Sequence, residues 1–183
     1  MKLIFWGLIF LFFDFKLNFG SSSISLLPTF AGYALICSGM GRVEECETYA
    51  KSRTWVIAGI VYSAVMWVLN CVGAQFDAMV SLLLSLVSSV LQLVTTYRIA
   101  AGVCELERVC KYDLYGRSLK TAWIVLLVWT VLVQATAWLG IVALAVVALV
   151  AAMVFMVYYI FRFHKSRKAY EEQAGWPEET YEA

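Results

Sequence analysis

Four uninterrupted apolar runs dominate this chain: Thr54–Val72, Ala78–Tyr97, Thr121–Leu139 and Gly140–Phe161. Each is close to the roughly 20 residues that a helix needs to cross a hydrocarbon core about 30 Å thick. The last two form one uncharged stretch from Thr121 to Phe161. As a helix it would be about 60 Å long, twice the core thickness, so the chain must turn back within it. Trp138-Leu139-Gly140 is the predicted turn, with glycine supplying a permissive backbone and Trp138 an interfacial anchor.

The first forty residues follow a different pattern. Leu3–Phe13 and Ile24–Gly39 are apolar but short, and Asp14–Ser23 between them is polar. Eleven helical residues cover only about 17 Å. Pro28 sits near the start of the second segment, where its missing N–H costs little. Lys2 followed by an apolar run also has the look of a secretory signal. The small-x-small cleavage site is missing, and Asp14, Phe15 and Lys16 follow instead, so the segment is expected to be retained. Two arrangements fit this segment. It is either a pair of short spans, the favoured reading, or a re-entrant hairpin beside four long spans. The expected fold is thus an all-α membrane protein, a six-span helical bundle of three hairpins in one domain over residues 1–168. The spans fall near 3–15, 24–39, 54–72, 78–97, 121–139 and 140–161, and an acidic tail at 169–183 contains Gly175 and Pro177.

Composition agrees with lipid as the solvent. Hydrophobic residues make up 62% of the 183 and charged ones 15%, against roughly 45–50% and 25% in soluble domains. A net charge of +1 gives no reason to expect nucleic acid as a partner. The distribution of charge is more telling than its sum. Thirteen of the fourteen Lys and Arg residues fall at Lys2, Arg42–Arg53, Arg98–Lys120 and Arg162–Lys168, all on one side of the threaded chain; Lys16 is the exception. The positive-inside rule places that side, with both termini, in the cytoplasm. Trp55 and Trp123 stand at the starts of their runs on that side, as interfacial aromatics do.

Few residues at membrane depth carry chemistry. Ser81, Ser85, Ser88 and Gln92 recur at spacings of four, three and four, which is one face of a helix. Either this face is a packing seam, since small hydroxyl residues let helices approach, or it lines a path for a solute. Asn70 and Gln134 are the other strongly polar groups there, and each is expected to bond a neighbouring helix. The pairs Gly59/Ser63 and Ala148/Ala152 have the small-xxx-small spacing of close helix contact. No Asp, Glu, Lys, Arg or His interrupts the four long runs, which argues against proton-coupled transport. Outside the runs, Glu47/Lys51 and Glu107/Lys111 have the favourable i, i+4 order, and Arg98–Asp113 reads as a charged helical extension of the fourth span.

Cys46, Cys104, Cys110 and His164 would share the charged side, but their spacing matches no ordinary zinc module, and the loop cysteines are expected as reduced thiols. Catalytic motifs such as HExxH, GxSxG or a P-loop are absent, so no catalytic, cofactor or metal site is expected. A faint echo links Lys51-Ser-Arg-Thr-Trp55 with Arg117-Ser-Leu-Lys-Thr-Ala-Trp123. It reflects either a repeated hairpin or the shared chemistry of membrane entry.

The run Phe12-Phe-Asp14-Phe-Lys-Leu-Asn-Phe-Gly20, followed by Leu26-Leu-Pro28-Thr-Phe-Ala-Gly32-Tyr33, resembles the start of a group of uncharacterised bacterial multi-pass membrane proteins. The resemblance covers about forty residues. It implies the bacterial cytoplasmic (inner) membrane and two short spans, and it transfers no functional residue. The functional expectation is an accessory or scaffold subunit acting by helix–helix association, with the lipid bilayer, a second copy or another membrane protein as partner. The alternative is a transporter or channel component with a Ser/Gln-lined path.

Overall fold

The computed structural model describes residues 1–12, 16–19, 22–25, 29–43, 46–74, 76–140 and 142–173. Six helices are found among them: α1 (Lys2–Phe12), α2 (Thr29–Gly41), α3 (Glu47–Cys71), α4 (Ala78–Cys110), α5 (Gly116–Trp138) and α6 (Val142–Gln173). Between α1 and α2 the backbone forms a small antiparallel hairpin, β1 (Lys16–Phe19) with β2 (Ser22–Ser25), in which Leu17 pairs with Ile24. Each helix packs on the next in chain order, α6 returns to α1, and β2 lies against α3. The molecule is an all-α bundle of three helical hairpins. Helices α3 to α6 are long and apolar enough to cross a membrane, which makes this a membrane protein.

The helix ends follow local sequence. Gly73 closes α3 at φ +73°, with the Gly73 N–H on the Asn70 carbonyl and the Ala74 N–H on the Leu69 carbonyl. That is the Schellman geometry, which needs a left-handed residue just past the cap. Gly140, at φ +69°, ends α5 with its N–H on the Ala137 carbonyl, where the turn of the uncharged stretch was expected. The helix α4 runs through its charged extension to Cys110, then turns sharply at Lys111 (φ +58°).

Two boundaries differ from the sequence reading. The acidic tail was expected from Ala169, but α6 continues to Gln173. The i, i+4 pairs Arg167–Glu171 (3.5 Å) and Lys168–Glu172 (3.6 Å) favour helix there, and Ala169 and Tyr170 pack on the core. The rest of the tail, with Gly175 and Pro177, lies outside the described residues. The second segment is also shorter as a helix than as an apolar run, because Ile24 and Ser25 belong to β2, while α1 matches its run in length. At eleven and thirteen residues, α1 and α2 are about 17 and 20 Å long, little more than half the core thickness. Asp14, Phe15 and Leu26–Pro28 lie outside the described residues.

The core sits at the charged end of the bundle. Ile4 and Leu8 of α1, Ile36 of α2, Tyr49 and Val56 of α3, Ile99 and Val103 of α4, Leu119 of α5 and Tyr159 and Phe163 of α6 are all fully buried. Close approach of α1 and α2 depends on glycine: a Cβ on Gly32 would stand 2.8 Å from the Leu11 amide nitrogen, and one on Gly39 2.8 Å from that of Ile4. Toward the other end the helices present mostly exposed apolar side chains, such as Val61, Val65, Leu83, Val87, Val147 and Val150. These are surfaces for lipid.

Candidate ligand cleft

The helix α4 organises both ends of the molecule. Four aromatic side chains donate hydrogen bonds to its carbonyls from three neighbouring helices. Tyr62 bonds Leu84 O (2.6 Å) and Tyr49 bonds Ile99 O (3.3 Å), both from α3. Trp123 of α5 bonds Leu93 O (3.1 Å), and Tyr159 of α6 bonds Thr96 O (2.7 Å). Each ties a buried or half-buried polar tip to an acceptor in a medium with no water, where a lone donor is costly. Along its charged-end half α4 buries Thr95, Thr96, Ile99, Ala100, Gly102, Val103 and Leu106. Along its other half, Ala78 to Val90, exposed positions occur around the whole circumference.

Beside that bare half lies a cleft of about 350 Å³ walled by α2, α3 and α4. Its polar lining is Thr29, Tyr33, Tyr62, Ser63, Asn70, Ser81, Ser85 and Ser88, and Trp67 and Phe76 add aromatic surface. Its floor on the charged side is the Tyr33 ring, 3% exposed and seated on Gly59, where a Cβ would stand 2.7 Å from the ring. Phe30 and Trp67 meet edge-on at 5.9 Å. A smaller hollow of about 120 Å³ lies on the other flank of α4, lined by Ser89, Gln92, Thr130 and Gln134 among apolar groups.

The residues picked from sequence therefore divide in two. Ser81, Ser85, Ser88 and Asn70 share the larger cleft, while Gln92 and Gln134 share the smaller one. Gln134 does bond a neighbouring helix: its amide nitrogen donates to Ser89 Oγ (2.7 Å) and to Ser85 O (3.4 Å) on α4. Asn70 makes no such bond among the described residues, and its side chain is exposed at the cleft. The Gly59/Ser63 pair is consumed inside the chain, with Tyr33 on Gly59 and Ser63 Oγ bonded to Gly59 O (2.6 Å). Tyr33, Tyr62, Trp67 and Thr29 were missed. Nothing in their sequence context separates them from ordinary interfacial or packing residues.

Three of the seven hydroxyls that line the cleft donate to backbone carbonyls. Tyr62 donates to Leu84 O, Ser63 to Gly59 O and Ser85 to Leu82 O (2.8 Å). Such a hydroxyl keeps its lone pairs, so these groups offer acceptors rather than donors. The indole N–H of Trp67 is enclosed without an acceptor. Among the described residues no Asp, Glu, Lys, Arg or His lines the cleft.

At the charged end, Glu105 on α4 receives the start of α3. Its carboxylate accepts the Thr48 N–H (2.8 Å), the Glu47 N–H (3.2 Å) and the Cys46 thiol (3.2 Å). Hydrogen bonding from the Thr48 side chain, with its N–H adding to it, is the main reason its carboxyl is held below the usual carboxylate range. Burial, with Glu105 beside it, pushes the Cys46 thiol up to about 12, so this cysteine is an inert proton donor at neutral pH. Two residues on, Glu107 accepts the Gly116 N–H (2.9 Å) at the start of α5. The expected Glu47–Lys51 pair is present at 2.6 Å, whereas Lys111 lies beyond the end of α4 in the left-handed turn. Among the described residues no group of three or more His, Cys, Asp or Glu side chains could hold a metal.

No protein-family model matches this chain, and neither does any curated protein or solved structure.

Proposed function

We propose that this is a multi-pass protein of the bacterial cytoplasmic membrane, both termini inside, whose cleft beside α4 receives a small uncharged solute. On this reading it is a component of a transporter or channel. The observation that carries the proposal is the position of Ser81, Ser85 and Ser88. They line an open space with Asn70 and Tyr62, not a closed helix seam. A concave space of roughly 300 Å³ or more, mostly apolar with a few convergent polar groups, is the usual form of a small-molecule site. Thirteen of fourteen basic residues support the orientation, because they gather at the end opposite the cleft. The tightly packed charged end then closes the cleft toward the cytoplasm.

Single cysteines at positions 81, 85 and 88, in a chain whose five native cysteines are replaced, test this directly. A water-soluble maleimide added outside intact cells should label all three, and should spare position 147 on the lipid-facing side of α6. Protection of all three would remove the reading.

The accessory or scaffold reading keeps one observation in its favour. The outer half of α4 has exposed positions on every side, as a helix awaiting a partner has. Size weighs against a helix entering the cleft itself. One turn of helix about 10 Å across and 5.4 Å high fills about 400 Å³. The serine row covers two turns, yet the cleft is about 350 Å³.

A further inference from the structure

The cleft lining has a chemistry that narrows its ligand. We infer that it takes the uncharged, hydroxyl-bearing head of an amphiphile from the leaflet opposite the charged end. This inference rests on the cleft being a ligand site, as proposed above.

Charge is the first argument. A phosphate or carboxylate removed from water at this depth would need a cationic partner. Among the described residues that line the cleft none is a cation, and thirteen of the fourteen basic residues, all but Lys16, belong to the other end of the bundle. An ammonium head would equally lack a carboxylate among the described lining residues.

Hydrogen-bonding polarity is the second argument. Tyr62, Ser63 and Ser85 have already given their protons to Leu84, Gly59 and Leu82 carbonyls. Their lone pairs can satisfy only a ligand that donates. A ligand carrying O–H groups fits, and its oxygens can also accept from the Asn70 amide at the rim. An ether or ester head without O–H or N–H would leave these oxygens unsatisfied.

Shape and surroundings are the third argument. The polar groups alternate with Tyr33, Trp67, Leu84, Met66 and Phe76, so the same wall offers apolar surface to an acyl chain. At about 30 Å³ per water-sized group, 350 Å³ holds about a dozen such groups. That is a small head and the first carbons of its chains, with the remainder in the bilayer.

The test is native mass spectrometry of the full chain in detergent-free polymer discs or in nanodiscs of phosphatidylcholine. The discs are doped with dioleoylglycerol in one arm and dioleoylphosphatidylglycerol in the other. One dioleoylglycerol should stay bound after lipid stripping, while the anionic lipid is shed. Asn70→Leu and the milder Ser85→Ala should each lower retention about tenfold, the weight of roughly one hydrogen-bonded contact. Val147→Leu on the lipid face should leave it unchanged, and thermal unfolding of each variant should match the parent. Equal retention of both lipids, or retention indifferent to the variants, would mean annular lipid only and overturn the inference. So would a protein partner that copurifies and leaves no lipid. Maleimide labelling of the serine face without dioleoylglycerol retention would refute the ligand class while leaving the solute cleft standing. Protection of the face together with no retention would refute both.

Discussion

At the scale of single residues, the packed end of the bundle depends on pairs of a large ring and a missing side chain. The Tyr49 ring occupies the space where a Cβ on Gly102 would lie, and the Tyr33 ring does the same at Gly59. Both rings are buried, and Tyr49 also bonds Ile99 O, so neither can swing aside at little cost. Gly102→Ala should therefore overpack the core and cost about 1–3 kcal/mol. Tyr159→Phe is the instructive comparison. It removes one hydrogen bond to Thr96 O without changing shape, and should cost only about 0.5–1.5 kcal/mol. Denaturant or thermal unfolding in one fixed micelle should rank Gly102→Ala below Tyr159→Phe, and Ser81→Ala near the parent. The reverse order would mean that hydrogen bonds onto α4, not the fit of rings onto glycine, limit stability. These pairs were not legible in the sequence. Tyr49 and Gly102 are 53 positions apart, and neither differs in local pattern from an interfacial tyrosine or a helix-packing glycine.

At the scale of elements, α4 serves as the cap for two of its neighbours. The first turn of α3 has no side-chain cap of its own, because its N-cap residue is Cys46. Glu105 supplies the acceptor from another helix, and Glu107 does the same at Gly116 for α5. Replacing Glu105 by Ala leaves two helix-start N–H groups without this acceptor and should cost about 0.5–2 kcal/mol, the usual range for a lost cap. The pH dependence has a definite sign. Because the folded carboxyl is held below its ordinary value, its contribution is fully present above the unfolded value of about 4.3. It is lost as pH falls through the lower folded value. Unfolding curves should then be flat from neutral pH down to about 5 and weaken in more acid solution, and Glu105→Gln should flatten that acid limb. An acid limb of unchanged size in Glu105→Gln would assign it to other carboxylates. The helices themselves were largely legible, since apolar runs bounded by charge, and the excess length of the uncharged stretch with its Gly140 turn, mark α3 to α6, and the Glu/Lys spacing marked the α4 extension. What those charges do was not legible. The acceptor for α3 lies 57 to 59 positions away, and the i, i+4 reading of Glu107 pointed it at Lys111 instead of Gly116.

At the scale of the whole molecule, the open question is how far the first hairpin reaches, and this decides what stands beside the cleft. As helices, α1 and α2 cover little more than half of a hydrocarbon core. The four-residue strands β1 and β2 add about 13 Å at 3.3 Å per residue, which brings the total to about 30 Å. A two-stranded hairpin has unpaired edges that hydrocarbon does not tolerate, so at this depth it must be covered by protein or reach the interface. The contact of β2 with α3 provides cover along one strand. Length and cover together favour a hairpin that crosses, with the β1–β2 turn at the far surface. A reporter enzyme that is active only outside the cytoplasm, inserted at Asn18, should then be active, as should one inserted in the Gly73–Asp77 turn. A cytoplasmic signal at Asn18 with an external one at the α3–α4 turn would establish a re-entrant dip beside four spans. It would also open the far half of the ring, so that α3 and α4 faced lipid where the cleft lies. The same pair of insertions tests sidedness, because inverted activity at the α3–α4 turn would overturn the orientation drawn from the thirteen basic residues.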